Sequence, residues 1–246
     1  LNAGHLSELF WDGRVESLEA QAEQSIVNPI EMAGEPDVIV DRLEAIPEYR
    51  DRFSRIFGGD GVQFGDIASA IATFVRSLNT PNTPFDRFMR GDQDALSDQA
   101  LRGLHVFRTK GRCMSCHNGS LLSDGEYHHL GTSFYGVGNY HGRYAVTRNN
   151  EDFSAFRTAP LRNVKATAPY MHNGLIAELT DVLALYNSGW WQNEPTEKAK
   201  DDPRFADLSP RIQPLDLSDM ELQALEVFLE SLGNGGNSVP PPELPR

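Results

Sequence analysis

The sequence predicts an all-α, loop-rich fold, and three observations carry that prediction. Several segments place apolar residues at helical spacing behind a capping residue or an initiating proline. No segment alternates convincingly enough to read as a strand, and no internal repeat is present. Residues 118–160 are rich in Gly, Asn, His and Tyr with no sustained period, so they read as long loops.

Taken in order, residues 15–25 predict a short helix with Leu18, Ala22 and acidic residues in its first turn. Pro36 opens a second helix, with Val38, Ile39, Leu43 and Ile46 on one side before Pro47. Gly58-Gly59-Asp60-Gly61 breaks the chain, and residues 66–78 resume it with Ile67, Ile71, Phe74, Val75 and Leu78. Residues 79–84 form a stiff polar connector, and with Gly91-Asp92 they set the expected boundary between a domain at 1–94 and one at 95–232. Ser97 can cap a helix that turns Leu101, Leu104 and Phe107 inward. Residues 180–186 read as a short helix ended near Gly189. Ser218-Asp219-Met220-Glu221 is a capping box for a final helix with Leu222, Leu225, Phe228, Leu229 and Leu232. Residues 233–246, rich in Gly and Pro, are expected to form a flexible tail.

The 246 residues carry 22 Lys and Arg against 35 Asp and Glu, a formal charge of −13. That balance argues against nucleic acid, which needs a basic face, and favours a basic or neutral partner. Apolar residues make up 39%, enough for a packed core. No apolar run approaches the roughly 18 residues of a membrane-spanning helix.

The two cysteines lie three apart, as Cys113-Met114-Ser115-Cys116, with His117 next. A disulfide scaffold would need more cysteines in a shorter chain, and a zinc site would need a second ligand pair. CxxCH is the attachment signature of a c-type haem: the thiols add to the porphyrin vinyl groups, and the next imidazole becomes the proximal iron ligand. A surface redox pair beside a chance histidine is the bland alternative. Covalent haem attachment follows export, so the periplasm is the expected compartment.

Further motifs occur in a fixed order: Phe10-Trp11-Asp12-Gly13-Arg14, Gln21, Asn28-Pro29-Ile30-Glu31-Met32, Ser77-Leu78, and Pro84-Phe85-Asp86-Arg87-Phe88. After the CxxCH come Ala159-Pro160-Leu161-Arg162-Asn163-Val164 and Ala168-Pro169-Tyr170-Met171-His172-Asn173-Gly174. This series resembles the bacterial di-haem cytochrome c peroxidase superfamily, which includes the enzyme that matures tryptophan tryptophylquinone. The resemblance runs to about residue 232. It implies a C-terminal cytochrome c domain plus the helical remainder of a second one. Members carry two CxxCH motifs and this sequence has one, so it reads as an N-terminally truncated fragment whose second haem attaches upstream.

The resemblance also assigns residues. Glu31 matches the acid–base glutamate, Gln21 the glutamine that holds distal water and peroxide, and Trp11 the indole that relays electrons between haems. Without it, Trp11 reads as a core aromatic, Gln21 as a solvated helix residue and Glu31 as a surface charge. The sixth ligand of the His117 haem is expected from Tyr186, fourteen residues after His172, where classical peroxidases carry Met. Met171 is the competing ligand, and a phenolate would favour ferric iron where a thioether raises the potential. Arg162 matches an arginine near the haem propionates, or else is a surface arginine. The carbonyls of Thr167 and Pro169 match those that bind Ca²⁺. His128, His129 and His141 read as polar loop residues.

The resemblance implies peroxide reduction with electrons from a small cytochrome c or cupredoxin, which enter through the His117 haem, and a homodimer. Peroxide-driven oxidation of a partner protein, and a mono-haem electron-transfer cytochrome, are the alternatives.

Overall fold

The computed structural model describes residues 1–133, 141–190, 197, 200–202, 205–234 and 239–245. It divides into two compact units, Leu1–Phe10 with Val15–Asn79 and Ser238–Arg246, and Trp11–Arg14 with Thr80–Asn237. Almost all regular structure is helical, as the sequence predicts.

The first unit contains helices α1 (Leu18–Val27), α2 (Pro36–Glu44), α3 (Pro47–Phe57) and α4 (Phe64–Ser77). The Ser17 hydroxyl caps α1 by accepting from the Ala20 amide at 3.1 Å. Pro47, which the periodicity places as a stop, begins α3 instead. A proline at the first helical position loses an amide that would have had no intrahelical partner anyway. Helix α1 packs on α4. Most of its larger buried side chains form two small clusters, Leu9, Val15, Leu18 and Ala72 in one, Phe53, Val62 and Ile67 in the other.

The second unit contains α5 (Pro84–Met89), α6 (Asp98–Arg108), α7 (Tyr144–Thr147), α8 (Leu179–Ser188) and α9 (Asp219–Glu230). Both expected caps form: Ser97 accepts from the Ala100 amide, and Ser218 with Glu221 makes a complete capping box. Helix α5, too short to show a period, starts at the end of the expected connector and is set by a second capping box of Thr83 and Asp86. A two-residue antiparallel ladder, β1 (Tyr127–His128) and β2 (Phe156–Arg157), lies within the stretch read as loops. Two residues per strand are too few for alternation to be visible in sequence.

Helix α6 crosses α9 closely because Gly103 has no side chain; a Cβ there would collide with the Ala224 carbonyl. Around that crossing, Val106, Phe107, Leu225, Phe228, Leu229 and Leu232 form part of one contiguous core with Leu179, Val182 and Leu183 of α8. Phe228 meets Phe85 edge-on, with ring centroids 5.6 Å apart. Part of the expected flexible tail, residues 235–238 and 246, lies outside the described residues. No helix among the described residues is long and apolar enough to cross a membrane.

Candidate haem site

Helix α6 delivers the chain to a tight turn in which the His117 amide donates to the Cys113 carbonyl at 2.8 Å. The turn brings Cys113, Cys116 and His117 to the wall of a cavity of about 370 Å³ within the second unit. His117 Nδ1 lies 2.9 Å from the Leu122 carbonyl. A carbonyl only accepts, so Nδ1 carries the proton and the Nε2 lone pair is left for iron. Burial holds the imidazole below its ordinary pKa, which favours the neutral, ligating form.

The two thiols differ. Burial pushes Cys113 up to about 12, and its Sγ donates to the Gly111 carbonyl at 3.3 Å. Burial also acts to raise Cys116, but hydrogen bonds with His128 and Arg211 outweigh it and hold the thiol below its usual value. Arg211 Nη1 lies 3.6 Å from Cys116 Sγ and 3.0 Å from Asp124, and His128 Nε2 lies 3.1 Å from Asp124. Cys116, Asp124 and His128 place donor atoms within 4.8 Å of one another. A Cys116 thioether to haem would leave only two of these donors, too few to enclose a separate ion.

Val182 and Leu183 of α8 bury into the core, and Tyr186, one turn on, reaches the same cavity. Burial raises the phenol well above its ordinary pKa, so without a bound cation it stays protonated. The Trp190 ring stands edge-on against it, at 90° and 5.6 Å. Met171, with φ 68°, also lines the cavity. His172 does so too, stacked 3.6 Å from the Phe156 ring and pushed by burial down to about 4. The apolar walls, paired thiols and metal-ready imidazole fit one covalent haem c.

A sequence model of the family described as "Di-haem cytochrome c peroxidase" matches residues 1–94. The methylamine utilization protein MauG of Methylophilus methylotrophus is 34% identical over 100% of this chain and 70% of its own length. The chain belongs to this family. The cytochrome-c peroxidase IdrP1 of Pseudomonas sp. (strain SCT) is 35% identical over 94% of this chain, which spans 66% of that relative. The crystal structure of a MauG-like protein associated with microbial copper homeostasis superposes with a TM-score of 0.80 at 27% identity, covering 94% of this chain and 73% of that one.

Within this di-haem peroxidase family member, the residues singled out from sequence divide between the two units. Trp11, Cys113, Cys116, His117, Thr167, Pro169, Met171 and Tyr186 line one cavity. Gln21 and Glu31 belong to the first unit. Gln21 Nε2 donates to Ser25 Oγ at 3.1 Å, and the exposed Glu31 accepts from Asn28 Nδ2 at 2.8 Å. Arg162 is not among the cavity-lining residues. Its guanidinium makes a two-pronged pair with Asp86, at 2.9 and 3.1 Å, and its Nε donates to the Ser120 carbonyl. Arg112, Arg157 and Arg211 line the cavity instead, along with His128. Sequence reasoning missed these because ladder and loop contacts gather them, not a motif.

Two carbonyls, Thr167 and Pro169, fall short of the about six to eight oxygens that Ca²⁺ takes. No group of three or more acidic, His or Cys donors gathers there among the described residues.

Proposed function

We propose that this chain is the electron-accepting part of a haem peroxidase that reduces hydrogen peroxide with electrons from a small cytochrome c or cupredoxin. The observation that carries the reading is the meeting of Trp11, Cys113, Cys116, His117 and Tyr186 around one cavity in one unit. Haem c bound there supplies one-electron redox chemistry. Cys113 and Cys116 would hold it covalently, and His117 Nε2 and Tyr186 would be the side chains that ligate its iron. Trp11, at the cavity wall, would serve as the relay. A second haem, whose attachment motif is absent from these 246 residues, would face Gln21 and Glu31. There Glu31 would take the proton from the near oxygen of peroxide and return it to the leaving oxygen, while Gln21 orients the molecule. Covalent attachment follows export, so the reading places the protein in the periplasm, and the family's homodimer is part of it.

The presence of Tyr186 in the cavity favours a second reading, oxidation of a partner protein driven by peroxide, because an anionic ligand favours oxidised iron.

Haem-loaded protein tests the site. We expect one haem per chain, lost in Cys113→Ala with Cys116→Ala, and a ferric spectrum without the near-infrared sulfur-to-iron band. Tyr186→Phe should leave an open or water-ligated site and raise the potential, and Met171→Leu should change little. A sulfur band that vanishes in Met171→Leu and survives in Tyr186→Phe would reverse the ligand assignment. A full-length protein without peroxide activity would leave the mono-haem electron-transfer alternative.

A further inference from the structure

Residues Trp11–Arg14 belong to the compact unit that holds the CxxCH turn, and residues far along the chain grip their backbone. Arg143 Nη1 donates to the carbonyls of Asp12 at 3.0 Å and Gly13 at 2.9 Å. The same atom lies 3.2 Å from the Tyr127 hydroxyl, and the guanidinium carbon sits 4.2 Å from the Tyr127 ring centroid. The Arg143 amide donates to the Ala155 carbonyl at 2.8 Å, and the Arg157 amide donates to the Trp11 carbonyl at 2.9 Å. Gly13 has φ 70°, and a Cβ there would fall on the Tyr127 hydroxyl and the Arg143 guanidinium.

Trp11 itself is 40% exposed, so burial alone does not fix its indole. The loop is held through its backbone instead. The guanidinium serves two successive carbonyls from Nη1 while its plane lies over the Tyr127 ring, a combination that a compact ammonium on a flexible stem holds less firmly. We propose that Arg143, stacked on Tyr127, is the positioning residue that fixes the Trp11 indole at the wall of the cavity. The inference rests on the reading of Trp11 as a relay, whose efficiency depends on where the indole is held.

The test uses the full-length, haem-loaded protein carrying Trp190→Phe and Trp191→Phe, which leaves Trp11 as its sole tryptophan among these residues. Energy transfer to haem shortens the indole fluorescence lifetime steeply with proximity. Arg143→Ala and Gly13→Ala should lengthen that lifetime and increase acrylamide quenching, with Arg143→Lys intermediate. Peroxide-dependent donor oxidation in Arg143→Ala should fall by up to about 100-fold. A folded Arg143→Ala protein with the parent lifetime and quenching overturns the proposal. If that variant does not fold, a parent lifetime in Arg143→Lys does the same. A purely structural role would lower the melting temperature without moving the lifetime of folded protein. Trp11→Phe tests the relay separately: unchanged donor oxidation sinks the relay and leaves the clamp standing.

Discussion

The two units are built to different standards of closure. The second has one contiguous core, in which Phe107, Leu225, Phe228 and Leu232 are almost completely buried. Among the described residues, the first gathers two small buried clusters beside Ala22, Ile26 and Ala68, and leaves Ile30 90%, Met32 69% and Phe74 51% exposed. The difference follows from geometry. Helices α6 and α9 meet along a glycine-permitted crossing that buries Val106, Phe107, Leu225 and Phe228, whereas α1 and α4 share a narrower contact. The cavity at the CxxCH turn lies within the second, more closed unit. Gln21 and Glu31 sit in the open unit, where a surface side chain can be changed with little structural penalty.

The sharpest break of this comparison is a pair of truncations. Phe228→Ala should cost about 3–5 kcal/mol in urea unfolding, by removing a buried aromatic from the α6–α9 crossing. Phe74→Ala, half-exposed on α4, should cost less than about 1 kcal/mol, since little transfer free energy is lost. Equal costs would show that both units depend alike on their aromatic packing.

A smaller effect belongs to Arg162. Burial raises the Asp86 carboxyl, but Arg162 and Thr83 together outweigh it and hold the group below its ordinary pKa. A carboxylate with a depressed folded pKa contributes stability that is complete above the ordinary aspartate range, near 4. That contribution is lost as pH falls through the lower folded value. Arg162→Ala should therefore cost about 1–3 kcal/mol at pH 7 and flatten the acid side of the stability curve. Melting from pH 7 down to about pH 2 checks both. A parallel curve for the variant would remove the pair from the account.

The smallest change in stability is expected from Glu31→Gln, within about 0.5 kcal/mol, because the side chain is exposed. In the protein carrying both haems, the same variant should slow the reaction with peroxide while leaving the spectrum of the His117 haem unchanged. A large loss of stability, or equal spectral change at both haems, would make Glu31 structural.

Much of this molecule was legible before folding was considered. Capping residues Ser97 and Ser218 and the spacing Leu222, Leu225, Phe228, Leu229 are local signals, so α6 and α9 could be read from neighbours in sequence. CxxCH is equally local, since both thiols and the imidazole must serve one porphyrin. Short elements escaped, because six residues of α5 and two of β1 carry no measurable period.

Sequence alone thus determined the helical class, the CxxCH motif that turns to the cavity and, through ordered motifs, the family. Only the tertiary structure decided which charges serve which site. Arg162 pairs with Asp86, 76 residues away in the chain. Arg143, in no motif, closes on Asp12 131 residues away. A guanidinium takes whichever acceptors the fold brings within about 3 Å, and a linear sequence does not specify that distance.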